Sequence, residues 1–592
     1  MTEPRSEYEQ RLARLAASLA DGERRHLWIS NARLLVFAAA AGVAWAAFIR
    51  PVLGPAWLLV PLLAFATLMV AHARVLNAND RLVRARRYYE RGVSRLDGTW
   101  AGTGPDGARF LVDHHYARDL DLFGRGSLFQ LLDTARTESG EETLADWLKA
   151  PATLPEVQAR QEAVAELRER LDFRETLAVL AAEAHVSRTG ALTRWAGMSP
   201  AGLGPLQARL FGLCALTTAL LCAAMFAGRV SSVVVLVWLI VPAAVALVYR
   251  VKVWHAIRGA DAAADDLSLL EALLARLETE RFTAPKLSTL RGALDGARRP
   301  SELIAQLRRY IAARDALRNE FVRPFGLLLL VRSQAGVAID RWHQAHRASL
   351  ASWITAIGEF EALASLATYA FEHPADPFPE LVAAGPTFSG TAIGHPLLPG
   401  ATAVRNDVAL GGAAPRVLII SGSNMSGKST LLRAVGVNAV LALAGGPVRA
   451  ERLTLSPMAI GATLRVEDSL QEGHSRFYAE ILKIRDIVRL TDGTAPVLFL
   501  LDEILHGTNS HDRKIGAEAI VKALMEAGAI GLVTTHDLAL TTLADTMASQ
   551  ARNVHFEDRI ENGRMIFDYR MRDGVVERSN AIALMRMLGL DV

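Results

Sequence analysis

Three short stretches of the chain carry residue types that handle a nucleoside triphosphate. Gly422-Ser423-Asn424-Met425-Ser426-Gly427-Lys428-Ser429 has the spacing GxxxxGK[ST] and runs on into Thr430. Its glycines let backbone N–H groups turn inward on phosphate oxygens, and a following helix N-terminus adds positive potential. Such a loop binds ATP: Lys428 reaches the β- and γ-phosphates, and Ser429 ligates Mg²⁺. The second stretch is Asp502-Glu503, two carboxylates closing the apolar run 497–501. Asp502 is placed to hold Mg²⁺ through water, and Glu503 to orient or activate the attacking water. The third is His536, closing the apolar run 531–535, where an imidazole can sense the γ-phosphate. An acidic strand end or a lone histidine is ordinarily structural. Beside a full phosphate loop, Glu503, His536 and Lys428 become the catalytic candidates.

These groups need elements that bring them to one edge. Residues 417–420 are a β-branched strand leading into the loop, and an apolar-periodic helix leads out. With the runs 497–501 and 531–535 as further buried strands, the C-terminal third is expected to be a doubly wound α/β P-loop ATPase domain. Residues 476–488 read as a helix with Phe477, Ile481, Ile484 and Ile487 on one face.

The 592 residues allow three or four folding units, and 51% hydrophobic content excludes wholesale disorder. Lys and Arg number 65 against 62 Asp and Glu, a net charge of +3 that argues against a general polyanion binder. The two cysteines, Cys214 and Cys222, share one apolar run, so neither a disulfide framework nor a cysteine zinc site is expected. His114, His115, His343 and His346 lack the carboxylate or cysteine pattern of a metal site.

Mean hydropathy above zero directs attention to membrane spans. Residues 34–49, 57–73, 210–227 and 233–249 are four runs of 16 to 18 residues without Asp, Glu, Lys or Arg. With their flanks they are long enough to cross a bilayer as two transmembrane helical hairpins. Basic residues crowd the outer flanks of both pairs, while the tips carry little beyond Arg50 and Arg229. Both hairpins are therefore expected to dip in from the cytoplasm, leaving both termini and the ATPase inside, in a multi-pass inner-membrane protein. Glu3, Glu7 and Glu9 precede any apolar segment, so the N-terminus is not read as a signal peptide. The arginines between Arg81 and Arg95, interleaved with Tyr88 and Tyr89, read as a juxtamembrane basic segment on anionic lipid rather than a nucleic-acid patch.

The phosphate-loop stretch resembles the MutS mismatch-repair family of ATPases, as do three others. These are residues 468–480 (DSLQEGHSRFYAE), 500–512 (LLDEILHGTNSHD) and 531–540 (GLVTTHDLAL). The closing segment, from Asn553 and His555 through Phe567 and Tyr569 to Ser579-Asn580-Ala581, is similar too. Gly394-His395-Pro396-Leu397 and Asn406-Asp407-Val408 resemble the family's entry into the ATPase, near the adenine. Residues 127–151 and 160–164 resemble its helical core, and 359–367 the helix that returns to the ATPase.

Hydropathy and charge, together with the resemblance for the core and the ATPase, give this organisation: an N-terminal arm (1–31), hairpin 1 (32–75), a basic linker (76–100), a helical core domain (101–207), hairpin 2 (208–252), the rest of the lever and core (253–380), and the ATPase domain (381–592). The resemblance also implies a homodimer with composite ATP sites. Ser475, beside Gly473 and His474, would reach the γ-phosphate held by the partner copy, and the Gly507-Thr508-Asn509-Ser510 loop would lie at the same seam. Ser475 would equally cap its own helix. His395 and Pro396 would sit near the base.

Departures accompany the likeness. No room precedes the core for a mismatch-reading domain, and the Phe173-Arg174-Glu175 triplet lies inside core-like helices. No DNA clamp is recognisable; Arg308, Arg309, Arg314 and Arg318 form a row on a largely helical segment that phosphates or a solvated face would suit equally. The expected function is a membrane-anchored ATPase acting on DNA, with an ATP-driven switch for a protein or lipid client as the alternative. An ATP-binding cassette exporter lacks its LSGGQ-type signature here.

Overall fold

Ala, Leu and Arg, all strong helix formers, dominate the chain as far as Glu372, and its regular structure there is helical. The computed structural model describes residues 3–50, 52–112, 114–182, 190–315, 323–400, 403–423, 425–465, 476–506, 508–536, 538–561 and 564–576. Asn424, Ser475 with Gly473 and His474, Gly507, Arg318 and the closing residues 577–592 lie outside them.

Two long helices, Pro4–Phe48 and Leu59–Leu96, form an antiparallel stalk joined by a turn and a short 3₁₀ segment, Pro55–Leu58. At 1.5 Å per residue the first is about 65 Å long. The N-terminal arm and the basic linker that the sequence separates from hairpin 1 are the lower halves of these same helices. Charged and small residues there keep helical propensity, so nothing ends the helix where hydropathy ends. The upper halves hold apolar windows of which only 6% and 11% is buried. The lower halves dock on the core through Tyr8, Tyr88 and Tyr89, packed with Leu171 and Ala178. Gly92 lets the two stalk helices close on each other there, since a Cβ would fall 2.4 Å from the Tyr8 ring. Tyr88 and Tyr89 thus serve the core and present no face to a nucleobase.

The second helical hairpin is Pro205–Phe226 with Ser232–Trp238 and Ile240–Ala262. Trp238 Nε1 donates to Thr218 Oγ1 at 3.0 Å across it. Its apolar windows are 22% and 11% buried, yet its base is embedded: Phe211, Val253, Ile257 and Ala260 join the main core. Among the described residues five helices are long and apolar enough to cross a membrane; the fifth, Val331–Glu372, has 72% of its window buried within the protein.

That returning helix is the axis of the helical core. Its Glu361 accepts from the backbone N–H of Arg136 and Thr137 at 3.0 and 3.2 Å, and Thr137 caps the helix Glu138–Lys149. Phe173 and Arg174 are buried, Arg174 donating to Thr368 Oγ1 and to the carbonyls of Leu167 and Arg168, while Glu175 accepts from Tyr89. The triplet is core. Arg308 pairs with Glu271 and Arg314 with Asp261 and Asp315, so two members of the arginine row are internal ion pairs. His114 bonds the Lys149 carbonyl and His343 the Trp195 carbonyl.

Beyond Glu372 two sheets form. Strands β1 (Glu380–Leu381), β2 (Thr387–Ile393), β3 (Asn406–Gly411) and β5 (Arg452–Leu455) make the smaller, in the order β1-β5-β2-β3. Strands β4 (Val417–Ser421), β6 (Ala459–Thr463), β7 (Val497–Leu501), β8 (Ile530–Thr535), β9 (Ala551–Glu561) and β10 (Arg564–Asp573) make the larger, in the order β10-β9-β4-β8-β7-β6. All its neighbours pair in parallel except β9 and β10. β4, β7 and β8 are buried along their whole length, as a parallel sheet covered on both faces requires. Their C-terminal ends share one edge, where open α/β sheets bind ligands.

Candidate nucleotide site

β4 leads into the phosphate loop, and the helix Lys428–Ala444 leads out of it. Gly422 (φ +150°) and Gly427 (φ +106°) take backbone conformations that a side chain opposes. Lys428 is 4% exposed, and its Nζ donates to the carbonyls of Gly422 and Ser423 at 2.8 and 2.9 Å. Burial lowers its pKa, while the Glu503 and Asp502 charges pull it back up. Among the described residues the hydroxyl oxygens of Ser423 and Ser426 are buried without a hydrogen-bond partner. A buried ammonium beside two orphaned hydroxyls fits a bound phosphate group well.

β7 delivers the carboxylates. Asp502 N–H bonds the Thr463 carbonyl at 3.0 Å, continuing the β6–β7 ladder by one residue. The Thr534 hydroxyl of β8 donates to Asp502 Oδ1 and accepts from Glu503 N–H at 2.9 Å. One side chain of the intervening strand therefore fixes both acidic residues. Glu503 itself is left-handed (φ +47°), a costly conformation for a residue with a Cβ, and of a kind concentrated at functional sites. Its carboxylate stands 4.0 Å from Lys428 Nζ, 3.8 Å from His536 Nδ1 and 4.0 Å from His506 Nε2. Burial lowers the His536 pKa against the opposing pull of Glu503, which favours a neutral ring. Glu503, His506 and His536 are the one group among the described residues spaced to hold a metal ion.

A cleft of about 360 Å³ opens beside this edge. Met425, Gly427, Lys428, Ser429, Thr430 and Glu503 line it, together with Ile393, His395, Leu398 and Tyr569, whose ring lies against Gly427. His395 is buried, accepts the Leu397 N–H at 3.2 Å, and has its pKa lowered to about 4 by burial and the Arg433 charge. Pro396 is buried beside it and does not line the cleft. Ser429 and Glu503 share the cleft wall, and Asp502 precedes Glu503 at the end of β7.

Sequence reasoning assigns no individual role to His506 or Thr534, and Asn406 and Tyr569 enter only within segments that resemble the family, the first near the adenine. Asn406 binds the Tyr569 carbonyl and the Met571 N–H at 3.0 and 2.8 Å, fastening the two sheets together and setting the tyrosine over Gly427. Tyr569 (φ +53°) lies in a β10 irregularity that no local pattern announces.

The site is tied to the helical core through Asp119. This buried carboxylate accepts from the N–H groups of Leu464 and Arg465, both at 2.8 Å, and pairs with Lys483 at 3.0 Å. Arg433, on the phosphate-loop helix, bonds the Asp119 carbonyl at 3.3 Å. Gly436 of the same helix lies against Leu120, so core and ATPase share one packed face.

Comparison with known proteins agrees with these two bodies. The family model described as MutS domain V matches residues 418–591, and that of MutS domain III matches residues 116–192. An endonuclease MutS2 of Thermus thermophilus is 37% identical over 204 residues, covering 33% of this chain and 25% of that protein. A DNA mismatch repair protein MutS of Shouchella clausii is 36% identical over 189 residues, covering 32% and 21%. A DNA mismatch repair protein MSH3 of Phaeosphaeria nodorum is 32% identical over 252 residues, covering 40% and 22%. The chain thus spans a quarter or less of the length of these three relatives.

Proposed function

We propose that this chain, a MutS-family protein by its domains III and V, is a membrane-anchored ATPase whose paired copies close on ATP and open on hydrolysis, acting on DNA. The observation that carries the ATPase reading is the meeting of Lys428, Glu503 and His536 at one sheet edge, next to a cleft of nucleotide size. Lys428 turns from the Gly422 and Ser423 carbonyls to the phosphates, and the Ser423 and Ser426 hydroxyls gain acceptors. Mg²⁺, held by Ser429 and through water by Asp502, would supply the bridging charge on the phosphates. Glu503 orients the attacking water and takes its proton, with neutral His536 beside it. Tyr569 and His395 flank the base.

Anchoring is supported by four helices with apolar windows at most 22% buried in the protein, a larger exposed apolar surface than a water-soluble fold tolerates. The basic flanks support the reading that the ATPase and both termini lie in the cytoplasm, at the inner membrane. A homodimer with Ser475 acting in trans follows from family resemblance, as does DNA as client, which the names of the MutS and MSH3 relatives support.

A second reading, an ATP-driven switch on a protein or lipid client, is favoured by one observation. The Phe173-Arg174-Glu175 triplet is packed in the core, and Arg308 and Arg314 are ion-paired, so these sequence candidates for DNA contact are otherwise engaged.

ATP hydrolysis by the chain in nanodiscs, titrated with linear, branched and single-stranded DNA, separates the two. A response to DNA that fades steeply with salt supports the first reading. Robust hydrolysis indifferent to every DNA removes DNA as the client and leaves the second.

A further inference from the structure

A groove of about 730 Å³ lies at the base of the second hairpin, well away from the nucleotide cleft. Arg250, Arg323 and Arg332 line it with Val251, Trp254 and Leu327. Among the described residues no carboxylate is in its wall, and none of the three arginine side chains has a hydrogen bond or ion pair. Three guanidinium groups around one groove repel each other, and an anion between them relieves that repulsion.

The apolar part of the wall faces outward. Val251 is 67% exposed, Trp254 47%, and Leu327 67%, with Phe325 at 66% beside it on the short helix Arg323–Leu328. Arg250 follows directly on the apolar run 233–249, so these residues sit one helical turn below the hairpin's apolar surface. Exposed aromatic and aliphatic groups next to arginines at that level match the boundary between acyl chains and headgroups.

We propose that this groove binds the headgroup of an anionic phospholipid. The three arginines take the phosphodiester, and Trp254, Val251 and Leu327 take the first part of an acyl chain. A zwitterionic lipid brings its own cationic group towards the three arginines and binds more weakly. Leu330, left-handed at φ +52°, lines the groove and stands at the N-cap of the returning helix Val331–Glu372, whose first turn carries Arg332. Lipid in the groove therefore fixes the membrane end of the helix whose other end enters the ATPase. The assignment rests on the anchoring reading above.

The test reconstitutes the full chain with phosphatidylglycerol and phosphatidylcholine of identical acyl chains, then counts retained lipids by native mass spectrometry. Phosphatidylglycerol should be retained in roughly tenfold preference. Arg250→Gln/Arg323→Gln/Arg332→Gln should lower that preference at least about fivefold while ATP binding, which reports the fold, is kept. Arg485→Gln/Arg489→Gln, on the ATPase surface, should leave the preference unchanged. Equal retention of both lipids, or a preference that the triple variant keeps, overturns the site. So does displacement of the lipid by millimolar glycerol 3-phosphate, which would make the groove a soluble-phosphate site. Carbonate extraction of membranes reads the anchoring separately: a chain stripped from them overturns both, whereas a retained chain without lipid preference overturns the groove alone.

Discussion

The Arg95 guanidinium and the Glu372 carboxylate form a buried pair, Nε to Oε2 at 2.7 Å and Nη2 to Oε1 at 2.6 Å, that fastens the stalk to the end of the returning helix. Tyr8 of the other stalk helix donates to the same carboxylate at 3.0 Å. Burial opposes the Arg95 charge, and the Glu372 charge and hydrogen bonds outweigh it, so its pKa is raised. Removing one partner strands the other charge. Glu372→Ala should therefore destabilise the chain by about 3–5 kcal/mol in denaturant unfolding, and Arg95→Met/Glu372→Met should recover much of the loss. A loss below about 1 kcal/mol in the single variant would mean that water reaches the pair.

Glu503→Gln keeps the side-chain shape opposite Lys428 but cannot take a proton. Bound ATP should persist while phosphate release falls by about 10²- to 10⁴-fold. Lys428→Ala should lose ATP binding itself. Turnover at the unsubstituted rate in Glu503→Gln would remove that residue from the mechanism.

His395 makes stability depend on pH. Its folded pKa is lowered to about 4 from an ordinary 6.5, so below 6.5 the unfolded chain binds the extra proton and stability falls as pH falls. The loss is absent above pH 6.5 and reaches about 3 kcal/mol near pH 4. His395→Gln should flatten that segment of a stability–pH curve measured by chemical unfolding. An identical slope in both proteins would show that His395 titrates normally.

The phosphate loop and the two strand-end motifs were legible because phosphate chemistry demands contiguous residues behind buried apolar strands. Thr534, which holds Asp502 and Glu503, was not: it acts across the sheet, and only the β7–β8 register brings it there. Tyr569 likewise depends on Asn406, 163 residues away in sequence. Hydropathy marked where the apolar runs end but not where the helices end, because Arg, Glu and Ala extend a helix as readily as Leu does. Tyr88 and Tyr89, flanked by arginines in sequence, face inward because the stalk has a partner surface on the helical core.

If ATP sites are composite, each needs Lys428 from one copy and Ser475 from the other. Mixing Lys428→Ala with Ser475→Ala protein then leaves some dimers with one intact site. Hydrolysis should return to a fraction of the unsubstituted rate, highest near equal amounts. No recovery at any ratio would place Ser475 in its own chain's site or outside the mechanism.

Under the proposed anchoring, charge sets the membrane topology. Arg50 and Arg229 mark the two hairpin tips, whereas the stalk's lower half carries Arg81, Arg84, Arg86, Arg87 and Arg91, and the second hairpin's base carries Arg250 and Lys252. Clustered basic residues stay on the cytoplasmic side, and a single arginine does not hold back a tip. In a chain with Cys214 and Cys222 replaced by Ser, Arg50→Cys or Arg229→Cys should react with a membrane-impermeant maleimide from outside the cell. Arg485→Cys, on the ATPase, should react only after permeabilisation. Tips reached only after permeabilisation would mean that the hairpins do not cross the bilayer, and the exposed apolar windows would then need a protein partner to cover them.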